Sequence, residues 1–300
     1  MTENKLNGII IKSIGGFYYV EAAETVYECK ARGNFRKKGV KPIVGDHVCI
    51  TAWDNGYCSI DDVYERRNSI IRPAVANLDT LIIVASARDP QPNALIIDKM
   101  TAAAYSKGIE PVIVFSKADL GVPEELVYSY ELAGIKTICS SSIDSRGKDE
   151  ILSLLPEKIS VLTGNSGVGK SSLLNTLFPH LQLETGDISK KLGRGRHTTR
   201  SVELYKLGGG YIADTPGFST LDIERYELIE KEKLPETFPE FKDYLGKCRF
   251  NSCSHTCEKG CAIIEAVGQG KISRTRFESY KTMYNEVKDI KKWQQKNDAQ

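Results

Sequence analysis

Between residues 6 and 68 the chain alternates apolar and polar positions in short runs. "GIII", "FYYVEA", "TVYECKA", "DHVCITA" and "YCSIDDVYE" each show the period of a half-buried strand. Gly15-Gly16, Gly33-Asn34, Gly45-Asp46 and Asn55-Gly56 separate them with turn residues. Five short strands punctuated in this way predict a small barrel of the OB type, whose faces and loops bind nucleic acid in many proteins. A barrel with a purely structural role is the competing reading.

From about residue 78 the pattern changes. "LDTLIIVAS", "PVIVF" and "IKTIC" are apolar runs of strand length, and "NALIIDKMTAAAYSKG" and "PEELVYSYELAG" between them carry helical spacing. Strand alternating with helix predicts an α/β domain with a parallel sheet covered on both faces. "KISVLTG", "SVELYKL" and "YIADTPG" extend the series. After about residue 222 the strand pattern stops and a helical, cysteine-bearing tail follows. The expected organisation is multidomain: a barrel at 1–68, an α/β domain at 69–222 and a helical segment at 223–300.

Composition narrows the class. Over 300 residues, 41% hydrophobic and 27% charged content fit a globular protein. No run approaches the roughly eighteen consecutive apolar residues of a membrane span. The start, "MTENKLNG", lacks the apolar segment of a secretory signal, so a cytoplasmic, reducing location is expected and no membrane partner. In that setting Cys29, Cys49, Cys58 and Cys139 read as core thiols, whereas clustered cysteines suggest metal. Net charge is only +2, but "KARGNFRKKGVK" (30–41) holds six basic residues and no acid, and "KKLGRGRHTTR" (190–200) holds five and no acid. With a third basic run in the last 30 residues, a polyanion such as RNA becomes a candidate partner; solvated surface is the bland alternative.

"GNSGVGKS", Gly164 to Ser171, fits the phosphate-loop pattern, with an apolar strand before it (158–162) and the helical "SSLLNTLF" after it. Gly164, Asn165, Ser166, Gly167, Val168, Gly169, Lys170, Ser171 and Ser172 are therefore candidate nucleotide-binding residues. Backbone N–H groups and the helix N-terminus would cradle the phosphates. Lys170 would reach the β- and γ-phosphates, and Ser171 would ligate Mg²⁺.

"DTPG" (214–217) ends another apolar strand. Asp214 would hold Mg²⁺ through a water, and Gly217 would offer its N–H to the γ-phosphate. "HTTR" (197–200) lies in a polar, glycine-bearing segment where a switch loop belongs, with Thr199, ahead of Thr198, as a further Mg²⁺ ligand. Lys170 and Thr199 thereby count as catalytic candidates.

"SKAD", Ser116-Lys117-Ala118-Asp119, sits at the end of the strand "VIVF", where α/β sheets bind ligands. A carboxylate at Asp119 can accept both N–H groups on N1 and N2 of guanine, a pair that adenine lacks. Lys117 can lay its stem along the base. "CSSSIDSRG" (139–147) follows the next strand, and Ser141 and Ser142 there could offer backbone N–H groups to guanine O6. In ordinary GTPases the base-reading motif lies downstream of the phosphate loop; here it comes first. Because domain termini commonly lie close together, a fold survives joining its old ends and opening elsewhere. The order predicts a circularly permuted GTPase domain.

"CRFNSCSHTCEKGC" places Cys248, Cys253, His255, Cys257 and Cys261 together, five candidates for the four positions of a tetrahedral, structural Zn²⁺ site; disulfides are the alternative, which a reducing compartment opposes. In the following helix Phe277, Tyr280, Tyr284 and Val287 share one face, read as core, while its basic side could touch RNA.

Taken together the chain resembles the ribosome small-subunit-dependent GTPase A family, bacterial GTPases of small-subunit maturation. The resemblance spans nearly the whole chain and rests on the barrel, the permuted order, "GNSGVGKSSLLN", "GRGRHTTR", "DTPGF" and C-x₄-C-x-H-x₅-C. It implies zinc on Cys248, Cys253, His255 and Cys261, with Cys257 as an extra thiol. It also implies hydrolysis of GTP to GDP with Mg²⁺, accelerated by the 30S subunit, contact with 16S rRNA, and a late check on that particle by a monomer. Two departures stand out. Ser116 occupies a position that is Asn in many GTPases, members of this family included, which weakens the expected N7 contact and the link to the phosphate loop. Phe218 stands where Ras-like GTPases carry a water-orienting Gln, and the family points to His197 for that role. A P-loop kinase or metabolic ATPase, and an RNA-binding protein that needs nucleotide only for folding, are the competing readings.

Overall fold

The computed structural model describes residues 3–33, 35, 40–54, 56–71, 74–179, 202–214 and 229–290. In chain order the strands are β1 (Glu3–Ile14), β2 (Phe17–Ala22), β3 (Thr25–Ala31), β4 (His47–Trp53), β5 (Cys58–Val63), β6 (Ser69–Ile70), β7 (Val75–Ala76), β8 (Thr80–Ser86), β9 (Glu110–Ser116), β10 (Lys136–Cys139), β11 (Ile159–Thr163), β12 (Glu203–Leu207) and β13 (Gly210–Asp214). The α-helices are α1 (Ala94–Ser106), α2 (Glu124–Leu132), α3 (Lys148–Leu152), α4 (Lys170–Leu177), α5 (Ala262–Gly268) and α6 (Arg274–Val287). Two compact units result. The first takes the described residues of Met1–Thr80, Leu152–Leu162 and Asp187–Phe218; the second takes those of Leu81–Ile151, Thr163–Gly186 and Ser219–Gln300.

In the first unit the five expected strands close into a barrel. β1 pairs with β2, β2 with β3, β3 in parallel with β5, β5 with β4, and β4 returns to β1. Closure works because β1 is long enough to serve both neighbours. Its first part, Glu3 to Ile9, pairs with β4, and Ile9 to Ile14 pairs with β2 across a register shift between Ile10 and Lys12. Alternation puts Ile10, Val20, Ile50 and Ile60 inside. Cys29 and Cys58 are buried at the β3–β5 closure with Sγ atoms 2.8 Å apart, as core thiols, while Cys49 and Cys139 are only half-buried. The fully buried Asp46 carboxylate is paired by Arg66 at 2.6 and 2.8 Å, which fixes the entry to β4.

The same unit carries β11 and β13, paired in parallel. β12 departs from the all-parallel expectation and runs antiparallel to β13. Only Gly208 and Gly209 separate them, and so short a connection permits a hairpin but not a parallel crossover. Lys12 on β1 pairs in register with Glu203 on β12, and their side chains form an ion pair at 2.9 Å. Lys206 reaches Glu21 on β2 at 2.5 Å.

In the second unit β8, β9 and β10 are neighbours, with β9 and β10 parallel. Val112, Ile113, Val114 and Phe115 are fully buried, as a continuous apolar run in a doubly covered sheet requires. Asn93 caps α1 by accepting from the Ile96 N–H at 3.2 Å. The tail has a core of its own making with α1. Phe238, Phe241 and Tyr280 stack edge to face at 5.0 and 5.3 Å, and Ala102 of α1 belongs to the same buried cluster. Phe277 and Tyr280 are buried there, with Tyr284 and Val287 packed alongside, which is the core face read from the sequence. No helix among the described residues is long and apolar enough to cross a membrane.

Candidate nucleotide site and cysteine–histidine cluster

The phosphate loop follows β11 and opens α4. Gly164 has φ +149°, and a Cβ there would meet the Val84 carbonyl oxygen at 2.1 Å, so no other residue fits. Gly169, at φ +92°, caps the N-terminus of α4, and a Cβ added there would come into ordinary contact with Ser116. Lys170, the first residue of α4, folds back over the loop, its Nζ donating to the carbonyls of Gly164 at 2.6 Å and Asn165 at 2.7 Å. Partial burial lowers its ammonium below the ordinary lysine value. Ser166 and Gly167 at the loop's crest are exposed. Ser171 and Ser172 lie in the first turn of α4.

The base-reading stretch is bonded directly to this loop. Ser116 ends β9, buried, and its hydroxyl lies in hydrogen-bonding range of the Val168 carbonyl and, at 3.2 Å, of the Ala85 carbonyl. The link expected to suffer from serine is therefore present. Lys117 adopts the left-handed conformation, φ 56°, and its Nζ donates to the Gly167 carbonyl at 2.9 Å and the Asp89 carbonyl at 2.5 Å. Ala118 is buried, its N–H held by the Ser140 carbonyl at 3.0 Å, and the Asp119 side chain is left exposed. The Ser140 N–H in turn bonds the Phe115 carbonyl at 2.8 Å, which brings the loop after β10 to the same edge. In that loop Ser141 is buried with its N–H on the Arg146 carbonyl, and Ser142 is exposed. Motifs some fifty positions apart in sequence are thus one site, open at the carboxyl ends of β9 and β10.

His197, Thr198, Thr199, Gly217 and Phe218 lie outside the described residues. Asp214 is the last residue of β13.

In the tail, one ligand atom from each of Cys248, Cys253, His255 and Cys261 lies within 4.8 Å of every other. The Cys248 and Cys261 sulfurs are 3.8 Å apart, and His255 Nδ1 is 3.4 and 3.5 Å from them. Tetrahedral zinc with ordinary Zn–S and Zn–N bonds requires separations of about 3.8 and 3.6 Å. The donor set and its spacing fit zinc, with Nδ1 as the imidazole donor. Of the five candidates it is Cys257 that stays out, exposed to solvent. Glu258 shapes the loop by accepting from the N–H groups of Ser254, Thr256 and Cys257 and from the Ser254 hydroxyl. Burial would raise its carboxyl, but these bonds overcome it and hold it near about 2.

Sequence reasoning missed the carbonyl partners of the base motif, Ala85 and Asp89, because backbone acceptors carry no residue signature. It also missed the role of Arg276, which is buried on α6 and bonded to Asp98 and Glu240. The signal was available in part, since Asp98 is the single acid within the apolar stretch "ALIIDKM".

A phosphate loop bonded to a base-reading motif that precedes it in the chain defines a circularly permuted GTPase. The sequence pattern of the RsgA GTPase matches residues 63–224, and that of the RsgA N-terminal domain matches residues 7–60. A protein of Geobacillus thermodenitrificans named small ribosomal subunit biogenesis GTPase RsgA is 46% identical over 290 residues, 95% of this chain and 98% of its own. One of the same name from Halalkalibacterium halodurans is 44% identical over 287 residues, 94% of this chain and 97% of its own. Crystal structures agree: YjeQ from Thermotoga maritima superimposes with a TM-score of 0.81 at 34% identity, covering 96% of this chain and 100% of that one. YloQ, described as a circularly permuted GTPase, gives 0.79 at 32% identity, covering 96% of each. The chain belongs to the RsgA GTPase family and is a GTP hydrolase. The kinase, ATPase and non-catalytic readings fall with that assignment.

Proposed function

We propose that this GTPase is stimulated by the 30S ribosomal subunit, binds 16S rRNA and acts late in maturation of the small subunit, as a cytoplasmic monomer. The relatives' shared name supports the setting. The observation that carries the nucleotide chemistry is the pair of bonds from Ser116 and Lys117 to the carbonyls of Val168 and Gly167, which joins base reader to phosphate cradle. In this reading Asp119 accepts from guanine N1 and N2, the Ser142 N–H faces O6 while that of Ser141 stays on the Arg146 carbonyl, and Gly164 to Ser172 surround the phosphates. Mg²⁺, which would neutralise the charge that develops on the phosphates, would be held by Ser171, Thr199 and, through a water, Asp214. Lys170 leaves the Gly164 and Asn165 carbonyls for the phosphates, Gly217 offers its N–H to the γ-phosphate, and His197 positions the attacking water. Zinc on Cys248, Cys253, His255 and Cys261 is structural. Three working parts follow: barrel 1–68, GTPase domain 69–222, helical zinc domain 223–300.

Arg194, Arg196 and Arg200 would meet rRNA phosphates, so that docking would bring His197 and Thr199 to the nucleotide; GTP would then stabilise the docked form and hydrolysis release it. Co-sedimentation with 30S subunits tests this. Retention with a non-hydrolysable GTP analogue and loss with GDP is the expected result; equal sedimentation with both rejects nucleotide control.

A further inference from the structure

The Ser116 hydroxyl has one proton and two carbonyl oxygens in reach. It is buried, and its oxygen faces the Val168 carbonyl of the phosphate loop and, at 3.2 Å, the Ala85 carbonyl at the end of β8. A carbonyl can only accept, so the single O–H must serve these two. What the hydroxyl has left are lone pairs, which also only accept. An asparagine amide at this position would differ in kind: two N–H bonds, one for the loop carbonyl and one to spare.

We infer that Ser116 is a positioning residue for the phosphate loop and not a reader of the base, and that this side chain leaves guanine N7 without a donor. N7 is an acceptor, so it could be met only if the hydroxyl turned away from the Val168 carbonyl. That would exchange one bond for another and take this donor from the Val168 carbonyl, with no net gain. Three neighbouring features fit the positioning role. Gly169 lies beside Ser116, since a Cβ added at this glycine would come into ordinary contact with the Ser116 Oγ and Cβ. Lys117 bonds the adjacent Gly167 carbonyl, so two consecutive side chains hold two consecutive parts of the loop. The Ser116 carbonyl receives the Ala87 N–H at 2.8 Å, which fixes the residue itself. Base selectivity then rests on Asp119 and on the backbone of the loop after β10. The inference depends on the guanine reading of Asp119 given above, yet it fails separately from it.

The test compares binding of GTP with that of 7-deaza-GTP, which replaces N7 by a C–H and changes nothing else that the site would touch. Wild-type protein binds both equally, within about twofold, if N7 has no donor; a loss of about tenfold with the deaza nucleotide overturns the inference. Ser116→Asn supplies the second N–H and makes the protein prefer GTP over 7-deaza-GTP by about five- to tenfold. An unchanged ratio in Ser116→Asn would show that position 116 does not face N7 and would equally overturn it. Ser116→Ala loses the loop bond and weakens both nucleotides by the same factor, about five- to tenfold, with the ratio still near one; undiminished affinity removes the positioning role. Competition by ATP on wild type keeps the two readings apart. Failure to discriminate GTP from ATP would sink the Asp119 assignment, whatever the deaza ratio.

Discussion

Arg276 on α6 places its Nη1 2.6 Å from Asp98 Oδ1 on α1, with both side chains buried. Glu240 takes the other side of the guanidinium at 2.8 and 3.1 Å, and the rings of Tyr130 and Phe238 lie within 5.5 Å of its centre. Burial alone would depress the guanidinium's proton affinity; Asp98 and Glu240 more than reverse that and keep it charged. The tail is therefore fastened to the helix that follows β8 by a buried charge network as well as by the aromatic cluster around Tyr280.

Removing the cation strands two buried carboxylates. Arg276→Leu should destabilise the protein by about 3–5 kcal/mol. Lys136→Ala, which deletes an exposed ion pair with Glu150, should change stability by less than about 0.5 kcal/mol. Urea denaturation of both variants checks the contrast, and equal effects would deny the network its role.

The zinc site predicts a split between neighbouring thiols. Cys261→Ser should lose bound zinc and loosen the tail, while Cys257→Ser should keep one zinc per chain, because Cys257 lies outside the cluster. Elemental analysis of the purified variants decides it; metal kept in the first and lost in the second would reverse the assignment.

Asp119 should set base choice. Asp119→Asn exchanges a charged acceptor for an amide that can donate to the C2 carbonyl of xanthine. GTP affinity should fall by roughly 1.5 to 3 kcal/mol, with xanthosine triphosphate preferred. Fluorescence titration with both nucleotides measures the exchange, and unchanged GTP affinity would contradict it.

Lys170 gives a pH signature. Burial lowers its ammonium in the free protein, and phosphate would restore the charge. A depressed lysine is charged below its lowered value and neutral above it, so binding at alkaline pH must take up a proton. GTP affinity should weaken at alkaline pH, starting below the range in which an ordinary lysine titrates. Calorimetry in two buffers of different ionisation heat should show that proton uptake; its absence would place Lys170's titration at the ordinary value.

Much of this was legible from local patterns. The barrel strands, the phosphate loop and the cysteine spacing are local in sequence, so periodicity and spacing reveal them. Non-local features were not. β12 looked like one more parallel strand until its two-glycine connection is taken as a hairpin constraint. The role of Arg276 was not visible, since nothing in "SRTRF" shows that Asp98 and Glu240 converge on it. For Ser116 the sequence suggested a weakened link to the loop. The carbonyls of Val168 and Ala85 supply the link, and no side-chain identity encodes them.

The most direct test of the account is steady-state GTP hydrolysis with and without purified 30S subunits, for wild type and His197→Ala. Phe218 cannot orient water, so the free protein should turn over slowly and the 30S subunit should accelerate it. His197→Ala should keep GTP affinity but lose most of that acceleration, as the removal of a water-positioning group costs about 10²- to 10⁴-fold. Equal stimulation of the two proteins would remove His197 from the mechanism, and no stimulation of wild type would contradict the ribosome-dependent account itself.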